Sequence, residues 1–258
     1  MTPIAFFTPL LVRIFLATAR FGMFVVISPM PARDVPTKFR AAVAVVLAVF
    51  AANLDEHRLP VEDLTLALVP HVITEILVGG VIGFTVRIIL SSAEVLGGLL
   101  GQAVGLSFAQ IYDPGRAEST DPLARITTLL AMGIAFGLGA HRIVLGYLLE
   151  SMRALPLGGH VAISASGGAL FDTLAQSFEA GVRLGLPALA ISVITQLAVA
   201  FVSRAAPALQ IFSVGMSVTA GAALLVVIVG MPDMAAGLEG RLVELDTRVA
   251  QVATLLVP

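Results

Sequence analysis

No cysteine occurs among the 258 residues, which excludes a disulfide framework, a thiolate nucleophile and a sulfur-ligated metal site. Charge is scarce too: Asp, Glu, Lys and Arg make up 12% of the chain, against roughly a quarter in a soluble globular domain. A net charge of −2 provides no dense basic face, so nucleic acid is not an expected partner. The four histidines, His57, His71, His141 and His160, lack metal-ligand spacing. There is no Gly-rich phosphate loop ending in Lys and Ser or Thr, so this chain does not draw its energy from such a nucleotide site. Ser107 and His141 could be written as a nucleophile and its base, yet Gly105-Leu106-Ser107 lacks the nucleophile-elbow context. The expectation is a non-enzyme with no catalytic residue, no metal and no cofactor. Ala17-Thr18-Ala19 has the form of a signal-peptide cleavage site, but no basic region precedes it and Arg13 interrupts the apolar stretch. That segment reads as part of the mature protein.

What the chain has is apolar sequence, 58% of all residues. Residues 184–203 and 205–232 carry no charge, and each meets the requirement of about 20 residues for a spanning helix. Three further runs hold one or two ionisable groups: 64–86 with His71 and Glu75, 88–111 with Glu94, and 123–140 with Arg125. Residues 1–28 contain Arg13 and Arg20, and 41–54 suit a short helix or half of a hairpin. Together these predict an all-α membrane protein with about six nominal transmembrane helices, in one membrane domain over residues 1–232. After Pro232 the pattern changes. Leu238, Leu242, Leu245, Val249, Val252 and Leu256 recur at spacings of four and three among charged residues, predicting an amphipathic helix within 233–258. Such a helix packs on its own protein or docks a partner.

Pro, Gly and charge mark loops at 29–40, 55–63, 112–122 and 156–168. The first carries Arg33, Lys38 and Arg40 against Asp34, and the second Asp55, Glu56, Glu62 and Asp63 against Arg58. The positive-inside bias therefore puts the first loop in the cytoplasm. Alternation then places Arg87 in an inside loop, 112–122 outside and 142–153 inside.

Glycines recur four apart at Gly79 and Gly83, at Gly97, Gly101 and Gly105, at Gly133 and Gly137, and at Gly181 and Gly185. Such a face lets two helix backbones approach closely in lipid. Packing within the chain accounts for any one pair, whereas the run of three suits a groove against a neighbouring subunit. Arg13, Arg20 and Glu75 would each cost about 2.5–3.5 kcal/mol at membrane depth on insertion scales, so they should face protein, a cavity or a partner charge. Arg13 and Arg20, seven apart, share a helix face, and Glu179 and Arg183, four apart, suit a surface pair. Glu75 has no charge four residues away. It is the candidate for an ion pair with another subunit or a polar channel wall; the alternative is a Glu hydrogen-bonded inside its own bundle.

Several stretches, in order, carry a family likeness. They are Ala19-Arg20, Pro29 and Val35-Pro36-Thr37-Lys38-Phe39-Arg40; Gly83 to Arg87; Leu96 to Pro114, with Gly-Leu-Ser-Phe-Ala ahead of Asp-Pro; and Gly139-Ala140-His141, Ser151 and Leu155-Pro156-Leu157-Gly158. Leu186-Pro187 follows, and then the most specific stretch, Ser203 to Gly215, with Arg204, Pro207, Gln210 and Phe212. Over nearly its whole length the chain resembles the FliR/SctT family of type III export gates. Ala208 and Gln210 stand where that family usually has Gln and Asn, and its Pro and Lys soon after Gly215 are absent.

The resemblance implies bent helical hairpins assembling into a helical multi-subunit gate. That gate would sit in the bacterial inner membrane, at the flagellar basal body, and pass unfolded export substrates. Expected partners are FliP-type and FliQ-type subunits, with an FlhB-type subunit beside them. The resemblance also makes Leu106, Ser107, Phe108, Ala109, Gln110, Ile111, Tyr112, Asp113 and Pro114 part of a plug-like loop running to Asp121. Leu106, Phe108, Ile111 and Tyr112 could seal a pore by dewetting. On residue chemistry alone, Asp113-Pro114-Gly115 is an ordinary turn signal. Ser213-Val214-Gly215 favours a flagellar over an injectisome member. A small-solute secondary transporter, from a different class, should show internal repeats with broken helices; Pro70 and Pro187 interrupt apolar runs without revealing a repeat.

Overall fold

The computed structural model describes residues 3–29, 35–54, 66–105, 122–159, 163–205 and 211–256. Among these residues the chain forms α-helices and no strand. In order they are α1 (Pro3–Ile27), α2 (Thr37–Leu54), α3 (Leu68–Val104), α4 (Pro122–Gly137), α5 (Ala140–Ala154), α6 (Ile163–Ala205), α7 (Ile211–Val243) and α8 (Leu245–Leu255). Among the described residues, four stretches are long and apolar enough to cross a membrane: Pro9–Ile27, Leu68–Val104, Gly167–Val202 and Ser217–Leu255. A fifth arises if α4 and α5 count together across their break at Leu138 and Gly139.

The count is below six chiefly because residues 68–104, drawn from both the 64–86 and the 88–111 runs, form one helix. α3 has 37 residues, about 55 Å at 1.5 Å per residue, against a hydrocarbon core of about 30 Å. Arg87 therefore lies exposed in mid-helix, not in an inside loop. A charged residue with good helix propensity does not end a helix when neither Gly nor Pro accompanies it. Pro70 sits in the first turn of α3, where a missing N–H costs nothing. Pro9, Pro187 and Pro232 are carried inside α1, α6 and α7. The helix containing Pro232 continues to Val243, so the change of character seen in the sequence there is not a break in the backbone.

The chain divides into two compact units. One comprises residues 1–89, 139–174 and 244–258; the other comprises 90–138 and 175–243. In the first, α1 packs on α2. Val12, Leu16, Ala17, Phe21 and Phe24 are buried on α1, and Ala44, Ala48, Ala51 and Ala52 on α2. The small side chains keep the hairpin close, while Phe39, Val46 and Phe50 point outward. An Arg40 Nη2 donates to the carbonyls of Val25 (2.6 Å) and Ser28 (3.0 Å), closing the exposed carbonyl end of α1 from α2. α8 packs on α5 with Leu245, Val249 and Val252 buried. All six members of the C-terminal stripe, Leu238 to Leu256, are buried, so that apolar face is used within the chain.

The second unit is built on close helix approach. A Cβ on Gly97 would collide with Ala124 and Thr127 of α4, and one on Gly181 would lie 2.6 Å from the Ser92 carbonyl oxygen of α3. On Gly185 it would meet Leu99, and on Gly237 of α7 it would meet Leu184 of α6. Thr127 donates its hydroxyl across the α3–α4 contact to the Ala93 carbonyl at 2.8 Å.

Candidate functional site

In the first unit, two helices of mostly apolar sequence each contribute a charged side chain to one buried point. Glu75 and Gly79 are one turn apart on α3 and share a face. A Cβ on Gly79 would overlap the Arg20 carbonyl, so glycine there lets the α1 backbone touch α3. That contact brings the Arg20 guanidinium beside the Glu75 carboxylate, both 1% exposed. Arg20 Nε donates to Glu75 Oε2 at 2.5 Å. The rest of the fork reaches α5 and the turn after it: Nη1 donates to Ser151 Oγ at 3.1 Å and Nη2 to the Leu155 carbonyl at 3.0 Å. Ser151 Oγ donates in turn to the Leu148 carbonyl at 2.7 Å.

The second carboxylate oxygen is also engaged. Glu75 Oε1 accepts the Gly158 amide N–H at 2.8 Å. His71, one turn earlier on the same face of α3, places Nδ1 2.7 Å from the Gly158 carbonyl oxygen. Gly158 has φ +81, a left-handed conformation that costs other L-residues more. Leu155 (4% exposed) and Leu157 (2%) anchor the same turn in the core. A planar guanidinium with five donors can serve a carboxylate, a hydroxyl and a carbonyl at once, which a lysine ammonium cannot do in one plane. Each charge has its partner and further hydrogen bonds, the condition under which a buried pair is tolerable.

Three stretches singled out by resemblance, Ala19-Arg20, Ser151 and Leu155-Pro156-Leu157-Gly158, thus meet in one network. A model of the bacterial export proteins, family 1, matches residues 11–245. The chain belongs to this family. It is similar to the flagellar biosynthetic protein FliR of Caulobacter vibrioides, 29% identical over 227 residues that cover 87% of this chain and 88% of the relative. Similarity to FliR of Escherichia coli K12 is 28% over 72% of this chain and 71% of the relative. The Yop proteins translocation protein T of Yersinia pestis is 27% identical over 82% of this chain and 80% of the relative.

For this member of the export family, the residues expected to matter differ in where the structure places them. Arg20 and Glu75 satisfy each other inside the chain, so the intrachain alternative describes Glu75 in this structure. Arg13 lies half-buried on α1. Gly97 is occupied by α4 and Gly101 is buried; Gly105, with φ +84, ends α3. Leu106 to Pro114, Pro207 and Gln210 lie outside the described residues. Arg204 is exposed at the end of α6, and Phe212 lies in the first turn of α7. Glu179 and Arg183 are both exposed on α6.

Sequence reasoning did not select His71, Ser151 and Gly158 as members of one site. A signal for His71 was present, since it precedes Glu75 by four residues. Ser151 and Gly158 belonged to resembling stretches but carried no sign of what they touch.

Proposed function

We propose that the chain is a membrane subunit of a type III protein export gate, serving flagellar export in the bacterial inner membrane. It builds the channel for unfolded substrates with FliP-type and FliQ-type subunits, beside an FlhB-type subunit. Residues 106–114 plug that channel. The observation that carries this reading is the family match over residues 11–245 together with FliR relatives aligned over most of both chains. The absence of a nucleotide loop in the sequence suits a conduit driven by its partners.

Two structural features support it. In their most apolar windows, the spans in α6 and α7 are 17% buried, against 50% in α3. Phe171, Phe178, Phe201, Leu225, Ile228 and Val229 stand outward, leaving extensive apolar surface for lipid or neighbouring subunits. Gly105 turns the chain out of α3 at the residue before the proposed plug, the backbone device that commonly terminates a helix.

The test is coexpression with FliP-type and FliQ-type proteins and purification in detergent. One stable particle containing all three is expected. A chain that stays monodisperse alone and moves a small solute in liposomes would overturn the proposal. In assembled gates, deleting 106–114 should raise small-ion conductance; unchanged conductance would remove the plug role while leaving the subunit role standing. The Yersinia relative favours one second reading, an injectisome gate. Restored motility in a strain lacking its FliR-type subunit supports the flagellar assignment, and restored injectisome secretion alone the other.

A further inference from the structure

The turn from 155 to 159 leads out of α5, and α1 and α3 hold it from outside its own helix. The Leu155 carbonyl takes Arg20 Nη2, the Gly158 N–H takes Glu75 Oε1, and the Gly158 carbonyl meets His71 Nδ1. Within the turn, Leu155 N–H donates to the Ser151 carbonyl at 2.8 Å and Gly159 N–H to the Pro156 carbonyl at 2.9 Å. Helical backbone satisfies itself; irregular backbone in an apolar setting must be satisfied by something else. Here the external partners are side chains clustered around one buried ion pair.

We infer that residues 155–159 form a strap latched by the Arg20–Glu75 pair, with His71 as an auxiliary catch, and that this strap opens and closes as one unit. Arg20 and Glu75 are positioning residues in this device. The pair is itself held by Gly79, which keeps α1 against α3, so the latch can be removed without removing the helix contact beneath it. Leu155 and Leu157 give the closed strap an apolar seat, but they carry no direction. The bonds to Leu155 and Gly158 supply it and fix the register in which the chain leaves α5.

The test is amide hydrogen exchange followed by mass spectrometry on the full-length protein in detergent or nanodiscs. Its cleanest variant is Arg20→Met with Glu75→Leu, which removes both charges together and leaves no uncompensated ion. Expected is a rise of about tenfold or more in exchange at 155–159, with amides of α5 between 144 and 152 unchanged, the pattern of local rather than global opening. Arg20→Lys keeps the charge but loses the fork, so the strap should exchange at an intermediate rate. His71→Phe should loosen Gly158 less than the double variant does. Unchanged exchange at 155–159 in the double variant would overturn the inference. Equal acceleration in the strap and α5 would overturn it as well, because the pair would then hold the whole unit instead of a separable strap.

Discussion

The two compact units hold apolar helices together in different ways. In the first, Gly79 lets α1 touch α3, and a buried guanidinium and carboxylate then tie α1, α3 and α5 to a turn through directional bonds. In the second, Gly97, Gly181, Gly185 and Gly237 bring helices into close contact, with Thr127 adding a hydroxyl bond to a carbonyl. Lipid provides no hydrophobic drive for helices to associate, so contact must come from close packing or from polar groups with nowhere better to go. Packing by glycine joins two regular helices. It cannot define the path of an irregular turn, because a smooth contact lacks direction. The first unit contains such a turn, at 155–159, and that is where the charges are.

The largest effect that would break this comparison is expected at the ion pair. Glu75→Ala leaves Arg20 buried without its carboxylate, and removing one partner of such a pair costs about 3–5 kcal/mol. Thermal unfolding in detergent should show the loss. A variant as stable as the parent would mean that Arg20 reaches water or another partner, and the contrast between the units would disappear.

A middle effect tests the glycine side. Gly97→Leu must push α4 away at Ala124 and Thr127, whereas a Cβ on Gly133 meets nothing within 4 Å. Overpacking of this kind costs about 1–3 kcal/mol, so Gly97→Leu should unfold earlier while Gly133→Leu does not. Equal behaviour would show that the glycine contact in the second unit is loose enough to yield. The smallest effect belongs to Thr127→Val, which keeps shape and removes the bond to Ala93. Interhelical hydrogen bonds in membranes average about 0.6 kcal/mol, and the same melting experiment should register a loss of that order. A loss as large as that of Glu75→Ala would put polar bonding, not packing, at the centre of both units.

Much of the helical layout was legible in the sequence because apolar run length and charge cost are local. The run at 184–203, residues 211–232 of the next run, α2, and the stripe from Leu238 to Val252 all lie in helices. Arg87 misled because a lone charge between two apolar runs reads as a boundary, yet nothing in the backbone there stops a helix. The site was legible only in part. Arg20 and Glu75 could be picked out as charges needing partners, but nothing in the sequence paired them across 55 positions, or joined Arg20 to Ser151 across 131.

By itself the sequence determined that this protein is α-helical, that it belongs with lipid, that no cysteine chemistry or nucleotide loop is available to it, and that its embedded charges require company. These follow from composition and spacing, since the free-energy cost of a buried ion or an unpaired amide belongs to the residue that bears it. The tertiary structure alone decided which company each charge keeps, which glycine touches which backbone, and that a five-residue turn is held by side chains from two distant helices. Those outcomes depend on which surfaces meet, and only the folded chain brings α1, α3 and α5 to one point.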